Sequence, residues 1–268
     1  MKRFRLHEPR VGLVALGLLT FVPLAWTMLQ DAELGTLAAT PPAVGVAPRG
    51  DELLYSRLKL YIEYNSSADD VGVQLQLDGV PWRSLKAFLP DGGRLLDIRT
   101  QNSLRLQGMT ELFFESSEPP LEDLPLEKFY ARFPAGTYEF EGITIEGDEI
   151  EGEAEFRHVI PAGPEIIWPP QGDQPPIVEI DDFEIEWEPV TTTIDGSTNL
   201  SIVGYQVIVE QLEPRRIFSI DLPADETSVE VPEEFFRQIG ALHKFEILAI
   251  EASGNQTITE GEFVIEED

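Results

Sequence analysis

Glutamates at every second position are the one constellation in this sequence with the type and spacing to do chemistry. Glu149, Glu151, Glu153 and Glu155 alternate with Ile150, Gly152, Ala154 and Phe156, and Glu139 and Glu141 stand on the segment before them. A period of two places such acids on one face of a strand. Six carboxylates on one face offer hard oxygen ligands to a divalent cation, or a landing surface for a basic partner. The plain alternative is a hydrated acidic surface, and calcium sites usually come from loops, not strands. Residues 137–188 hold sixteen Asp or Glu against a single Arg157.

Other chemistry is sparse. The chain has no Cys, which removes disulfides, thiolate nucleophiles and Cys-ligated metals, and only three His. His158 falls on the apolar face of the acidic hairpin and fits a core or rim residue better than a general base. Ser56 and Lys59 fit an SxxK spacing, but on a strand-like pattern and without the companion motifs. No nucleophile elbow, phosphate loop or HExxH occurs. The sequence therefore predicts no catalytic residue, no cofactor and no dedicated metal site. Arg49-Gly50-Asp51 spells an integrin-type tripeptide. Asn65-Ser66-Ser67 and Asn255-Gln256-Thr257 spell glycosylation acceptors.

Lys and Arg total 19 and Asp and Glu 49 among 268 residues, a net charge of −30. Such a chain repels a phosphate backbone, so nucleic acid is excluded as a partner. Lys2, Arg3, Arg5 and Arg10 precede the uncharged run Val11–Leu29. A basic head before an apolar run is the export pattern, and both a cleaved signal peptide and an uncleaved anchor fit residues 1–30. Residues 31–50 are small and Pro-rich and read as a tether. The remainder is expected outside the cytoplasm, in the periplasm or at the cell surface, touching membrane only through residues 11–29.

The elements that must position the acids are strands. Leu58, Leu60, Ile62 and Tyr64 alternate with polar residues, and so do Val71, Val73, Leu75 and Leu77, before a tight turn expected at Asp78-Gly79. Further strands are expected at Leu85–Leu89, Leu95–Ile98 and Leu112–Glu115. Leu126, Phe129, Tyr130 and Phe133 have helical spacing between Pro125 and Pro134. The acidic segment reads as a hairpin over Tyr138–Val159, turning at Gly147-Asp148. A β-bulge at Gly142 is expected there, because Tyr138 and Phe140 are out of phase with Ile143 and Ile145. Six prolines between Pro161 and Pro176 place a boundary near residue 163.

After that boundary the pattern becomes specific. Phe183, Ile185 and Trp187 share one face of a strand, followed by Tyr205, Val207 and Val209 and then Phe245, Ile247 and Ala249 ahead of Gly254-Asn255. These spaced core residues resemble a fibronectin type III domain, with Trp187 as its core tryptophan. His243 stands where that family usually has a tyrosine whose hydroxyl bonds back to the backbone. The resemblance implies a seven-stranded sandwich used as a spacer or interaction module.

The expected fold class is all-β: a β-rich, sandwich-like domain over residues 51–162 and a fibronectin type III-like domain over 163–268, with only short helical segments. The expected role is non-enzymatic binding or scaffolding at a bacterial-type envelope, with a protein or polysaccharide as partner. The alternative is an accessory carbohydrate-binding module with Trp82 or Trp168 as a stacking platform, a reading that a buried Trp82 would remove from that residue.

Overall fold

The computed structural model describes residues 57–181, 183–236 and 238–266. The expected leader, the tether, Ser56 and the Arg49-Gly50-Asp51 tripeptide lie outside them. Among the described residues no helix is long and apolar enough to cross a membrane.

The first half comprises β1 (Arg57–Asn65), β2 (Asp70–Phe88), β3 (Arg94–Arg99), α1 (Asn102–Gln107), β4 (Met109–Glu115), α2 (Leu126–Arg132), β5 (Gly136–Thr144) and β6 (Glu149–Phe156). The turn expected at Asp78-Gly79 is absent. Gly79 keeps an ordinary φ, and β2 runs on through it for 19 residues. Its pairing with β4 becomes irregular between Asp78 and Trp82, the point at which the strand bends. Before the bend β2 pairs with β1 and β4, and after it with β3 and β5. One long strand thereby joins two sets of neighbours within a single sheet. Trp82, at the bend, is wholly buried with Leu75, Leu77, Phe129, Tyr138, Phe140 and Phe156. The helix expected from Leu126 forms as α2 and lays Phe129 into this core.

The hairpin β5–β6 pairs without a break from Gly136↔Phe156 to Ile143↔Glu149, so the bulge expected at Gly142 does not exist. The phase is kept because Gly142 and Thr144, not Ile143, continue the buried face of Tyr138 and Phe140. Ile143 is half-buried on the other face, where it pairs with Ser84 of β2. A small residue and a hydroxyl hold core positions that hydrophobicity alone would not give them.

The second half comprises β7 (Glu165–Trp168), β8 (Ile177–Glu179), β9 (Glu184–Glu188), β10 (Ile202–Gln211), β11 (Arg216–Pro223), β12 (Ser228–Glu230), β13 (Leu242–Glu251) and β14 (Gln256–Glu266). A three-stranded sheet, β12-β9-β7, faces the strands β11-β10-β13-β14. Their inward residues form a second core around Trp187, Tyr205, Val207, Phe245, Ile247 and Phe263. The Trp187 and Tyr205 rings meet edge to face at 5.3 Å. The seven-stranded sandwich implied by the family resemblance is present, with β8 as a short addition along β14.

The two cores share one sheet. β14 pairs in parallel with β1, Glu63 opposite Gln256 and Asn65 opposite Ile258, so an eleven-stranded sheet passes through both halves. Asn255 seals this joint. Its Oδ1 accepts from Ile62 N at 2.8 Å, and its Nδ2 donates to the carbonyls of Arg157 and Val159. Thr257 Oγ1 donates to Pro161 O.

Candidate functional site

The parallel pairing gathers acids on the face of the sheet away from both cores. Along β1 the inward Leu60 and Ile62 alternate with Tyr61 and Glu63 on this other face. In an ordinary half-buried sheet that face meets water. Here Glu63 is 2% exposed, and Gln74, opposite Tyr61 on β2, is also 2% exposed. Leu248 of β13 and Ile258 of β14 are buried on the same side. Both oxygens of Glu63 are held by amides, Oε1 by Gln74 Nε2 and Oε2 by Gln256 Nε2. Gln74 Oε1 in turn accepts from the Tyr61 hydroxyl at 2.7 Å. An amide from each half therefore fixes the central carboxylate.

Glu115, at the end of β4, faces Gln74, and Glu118 follows one loop turn later. Oxygens of Glu63, Glu115 and Glu118 all lie within 4.8 Å of one another. Glu118 lies over Gly72 of β2, where a Cβ would come within 2.6 Å of its Cγ and Oε1. Glycine weakens a strand interior, and here the missing side chain makes room for a carboxyl. Asp70, two residues earlier, has Oδ1 wholly buried with no hydrogen-bond donor. From the other half Glu246 of β13 and Glu260 of β14, opposite each other, extend the cluster.

Glu63 and Glu246 are buried, Asp70 and Glu118 partly buried and Glu115 exposed, and the crowding of acids favours the protonated forms. Burial, then the charges of Glu63, Glu115 and Asp70, push Glu118 up to about 9. Burial, then Glu260, Glu63 and Glu210, pushes Glu246 up to about 8. Glu63 rises to about 7, mainly by burial, against the stabilising bonds from Gln256 and Gln74. Asp70 rises to about 6 through burial and the neighbouring charges of Glu260, Asp69 and Glu115. The side chains of Glu118 and Glu115 share a hydrogen bond, which holds Glu115 down and Glu118 up. The arrangement suits two kinds of chemistry: carboxyls that share protons among themselves, or hard oxygen ligands converging on one cation.

No family model matches the chain, and no curated protein matches it. Among solved structures it is similar to the FN1–FN3 domains of chicken CNTN1, with 11% identity over 79% of this chain and 67% of that one and a TM-score of 0.33. It is similar to a segment of two fibronectin type III domains from chicken tenascin, with 10% identity, coverage of 77% and 98%, and a TM-score of 0.27. A 1.5-MDa bacterial ice-binding adhesin is matched at 12% identity, over 80% of this chain and 66% of that one, with a TM-score of 0.26. The strand pairing of the second half is fibronectin type III-like.

The acids singled out by their spacing stand elsewhere. Glu139, Glu141, Glu149, Glu151, Glu153 and Glu155 are all exposed on the outer side of β5–β6. Glu139 faces Glu153 and Glu141 faces Glu151 directly. Thr137 Oγ1 donates to Glu155, and Lys86 reaches Glu141 at 3.5 Å. His158 stacks on Tyr130 at 3.9 Å, with Nε2 against the Phe133 carbonyl, as a rim residue. Wholly buried His243 sets Nδ1 3.0 Å from the Ala241 carbonyl, so this nitrogen donates to the backbone much as the family's tyrosine hydroxyl does. Trp82 is 0% exposed and is no stacking platform, whereas Trp168 is 43% exposed. Asn255, 1% exposed with both amide hydrogens committed, is no glycan acceptor in the folded chain.

Proposed function

We propose that the chain is a non-enzymatic binding or scaffolding protein, exported and presented outside the cytoplasm at a cell envelope by its Pro-rich tether. The observation that supports this reading best is the single sheet that runs through both halves, fastened by β1–β14 and Asn255. It makes a stiff β-body of the part the tether would present, which is what a spacer or display surface needs. The basic head and the apolar run Val11–Leu29 support export. A C-terminal reporter active only in the cytoplasm is expected to stay silent, and strong activity would sink the topology. The purified protein is expected to sediment with envelope material without turning over esters, glycosides or phosphates.

A second reading, binding of a polysaccharide, rests on the exposed indole of Trp168 beside exposed Ile167. Aromatic faces pack on the apolar faces of sugar rings. Retention on insoluble envelope polysaccharide that disappears in Trp168→Ala would select this reading, and retention unchanged in that variant would remove it.

A further inference from the structure

We propose that His243 is an acid-sensitive switch: while neutral it holds the short 3-10 turn Glu233–Phe235 against the end of the second core, and on taking up a proton it lets that turn go. The inference stands apart from the binding or scaffolding role.

The ring is wholly buried, and its surroundings leave one place for a second proton. Nδ1 lies 3.0 Å from the Ala241 carbonyl, which can only accept, so the neutral ring carries its hydrogen there. A further proton must go to Nε2, and that atom is buried without a hydrogen-bond partner. Aromatic rings enclose the imidazole. Phe263 stacks on it at 5.1 Å, Phe236 meets it edge-on at 5.3 Å, and Phe235 lies at 6.1 Å. Among the described residues no carboxylate is placed to compensate a charge on the ring. Glu262 is paired with Lys244 and Glu210 with Arg215, both on the outer face of the sheet, and Glu233 and Glu234 are exposed. Arg216, opposite Gln211 on β11, has the same sign and opposes the proton. Burial pulls the imidazole below its usual range, and the bond to Ala241 works the other way.

The second arrangement is offered by the neighbouring strand. Gln211 stands directly opposite His243 in the pairing of β10 with β13 and is also wholly buried. Its Nε2 donates to the Pro214 carbonyl at 2.8 Å, and its Oε1 has no donor. While the ring is neutral, both unpartnered atoms are acceptors and cannot bond to each other. A proton on Nε2 makes one of them a donor. The charged ring then gains a bond by turning toward Gln211, and it gives up its stack on Phe263 and its hold on Ala241. The turn it supported is fastened to the core by Phe235 and Phe236, because its backbone bonds, Phe235 N to Pro232 O and Phe236 N to Glu233 O, lie within the turn itself. A lowered imidazole contributes stability that is full above about pH 6.5 and is lost as pH falls through the lowered folded value.

The test titrates the full-length protein, labelled with nitrogen-15 histidine, from pH 7.5 to pH 4.5. At pH 7.5 the ring of His243 should carry hydrogen on Nδ1 alone, and it should charge only below the usual value of about 6.5. Over the same range amide exchange at Phe235 and Phe236, corrected for its intrinsic pH dependence, should speed up about tenfold in the parent. His243→Tyr keeps a donor for the backbone and does not titrate in this range, so exchange at the turn should stay level. His243→Asn, with Nδ2 where Nδ1 stood, serves the same purpose if the tyrosine variant does not fold. Between pH 7 and pH 5 the parent should lose about 2–4 °C in Tm relative to either variant. The acids around Glu63 are common to all three proteins and cancel in that difference. A ring that charges at or above about pH 6.5 overturns the proposal. So does exchange at the turn that ignores the charging of the ring, or the same acid response in a variant.

Discussion

At the scale of single residues, the cluster around Glu63 makes stability depend on pH in a direction opposite to that of most carboxylates. Glu63, Asp70, Glu118 and Glu246 are all raised by burial, to about 7, 6, 9 and 8. A raised carboxyl keeps its proton in the folded chain at a pH where the unfolded chain has lost it, so its contribution is full at low pH and disappears as pH rises through the folded value. In metal-free buffer the Tm should therefore fall between pH 5.5 and pH 9, measured by circular dichroism. Glu118→Gln fixes the neutral form and should flatten that fall. Asn255 offers a second prediction. Replacing it with Ala strands the buried Ile62 N–H and takes the donors from the part-buried carbonyls of Arg157 and Val159. Each orphaned group costs about 1–3 kcal/mol, so a loss of about 3–5 kcal/mol is expected in urea unfolding.

At the scale of elements, the acidic hairpin is a strand pair working against its own charge. Glu141 faces Glu151 and Glu139 faces Glu153 across β5–β6. Glu151→Lys turns one repulsive pair into an attractive one, and it should stabilise the protein by about 0.5–1 kcal/mol at low salt, less at high salt. Thermal unfolding at two ionic strengths checks this. The hairpin, α2 and the strands around Trp187, Tyr205 and Phe245 were legible in the sequence because each declares itself by its own period. β2 was not: Asp78-Gly79 looks like a turn, and only the packing of Trp82 shows that the strand bends and continues. The cluster was illegible for a different reason. Glu63 sits on the polar face of an alternating strand, and such a face reads the same whether water or the other half of the protein covers it. Its companions lie on β1, β2, β13 and β14 and on or just beyond β4, and a parallel pairing across 193 positions brings them together. The hint left in the sequence is Gly72, a glycine with no turn to make.

At the scale of the whole molecule, a proline-rich connection does not mean that the halves part when it is cut. Residues 170–174 are exposed, but Gln171 Oε1 accepts from Glu262 N, and Val264 N donates to Pro176 O. Limited proteolysis should nick this stretch and leave both fragments together on gel filtration, separating only in denaturant. Fragments that separate in native buffer would show that the shared sheet contributes little to cohesion. The pairing of β1 with β14 also sets a schedule. The first strand of the described body pairs early with β2 but gains its second neighbour only after β14 has been made. Most of the sheet cannot close around β1 while the chain is still being synthesised or threaded through a membrane. Contacts so distant along the chain form slowly. A chain that leaves the ribosome with its central pairing unmade remains extensible for longer than one built of hairpins alone, and that delay favours transport before folding.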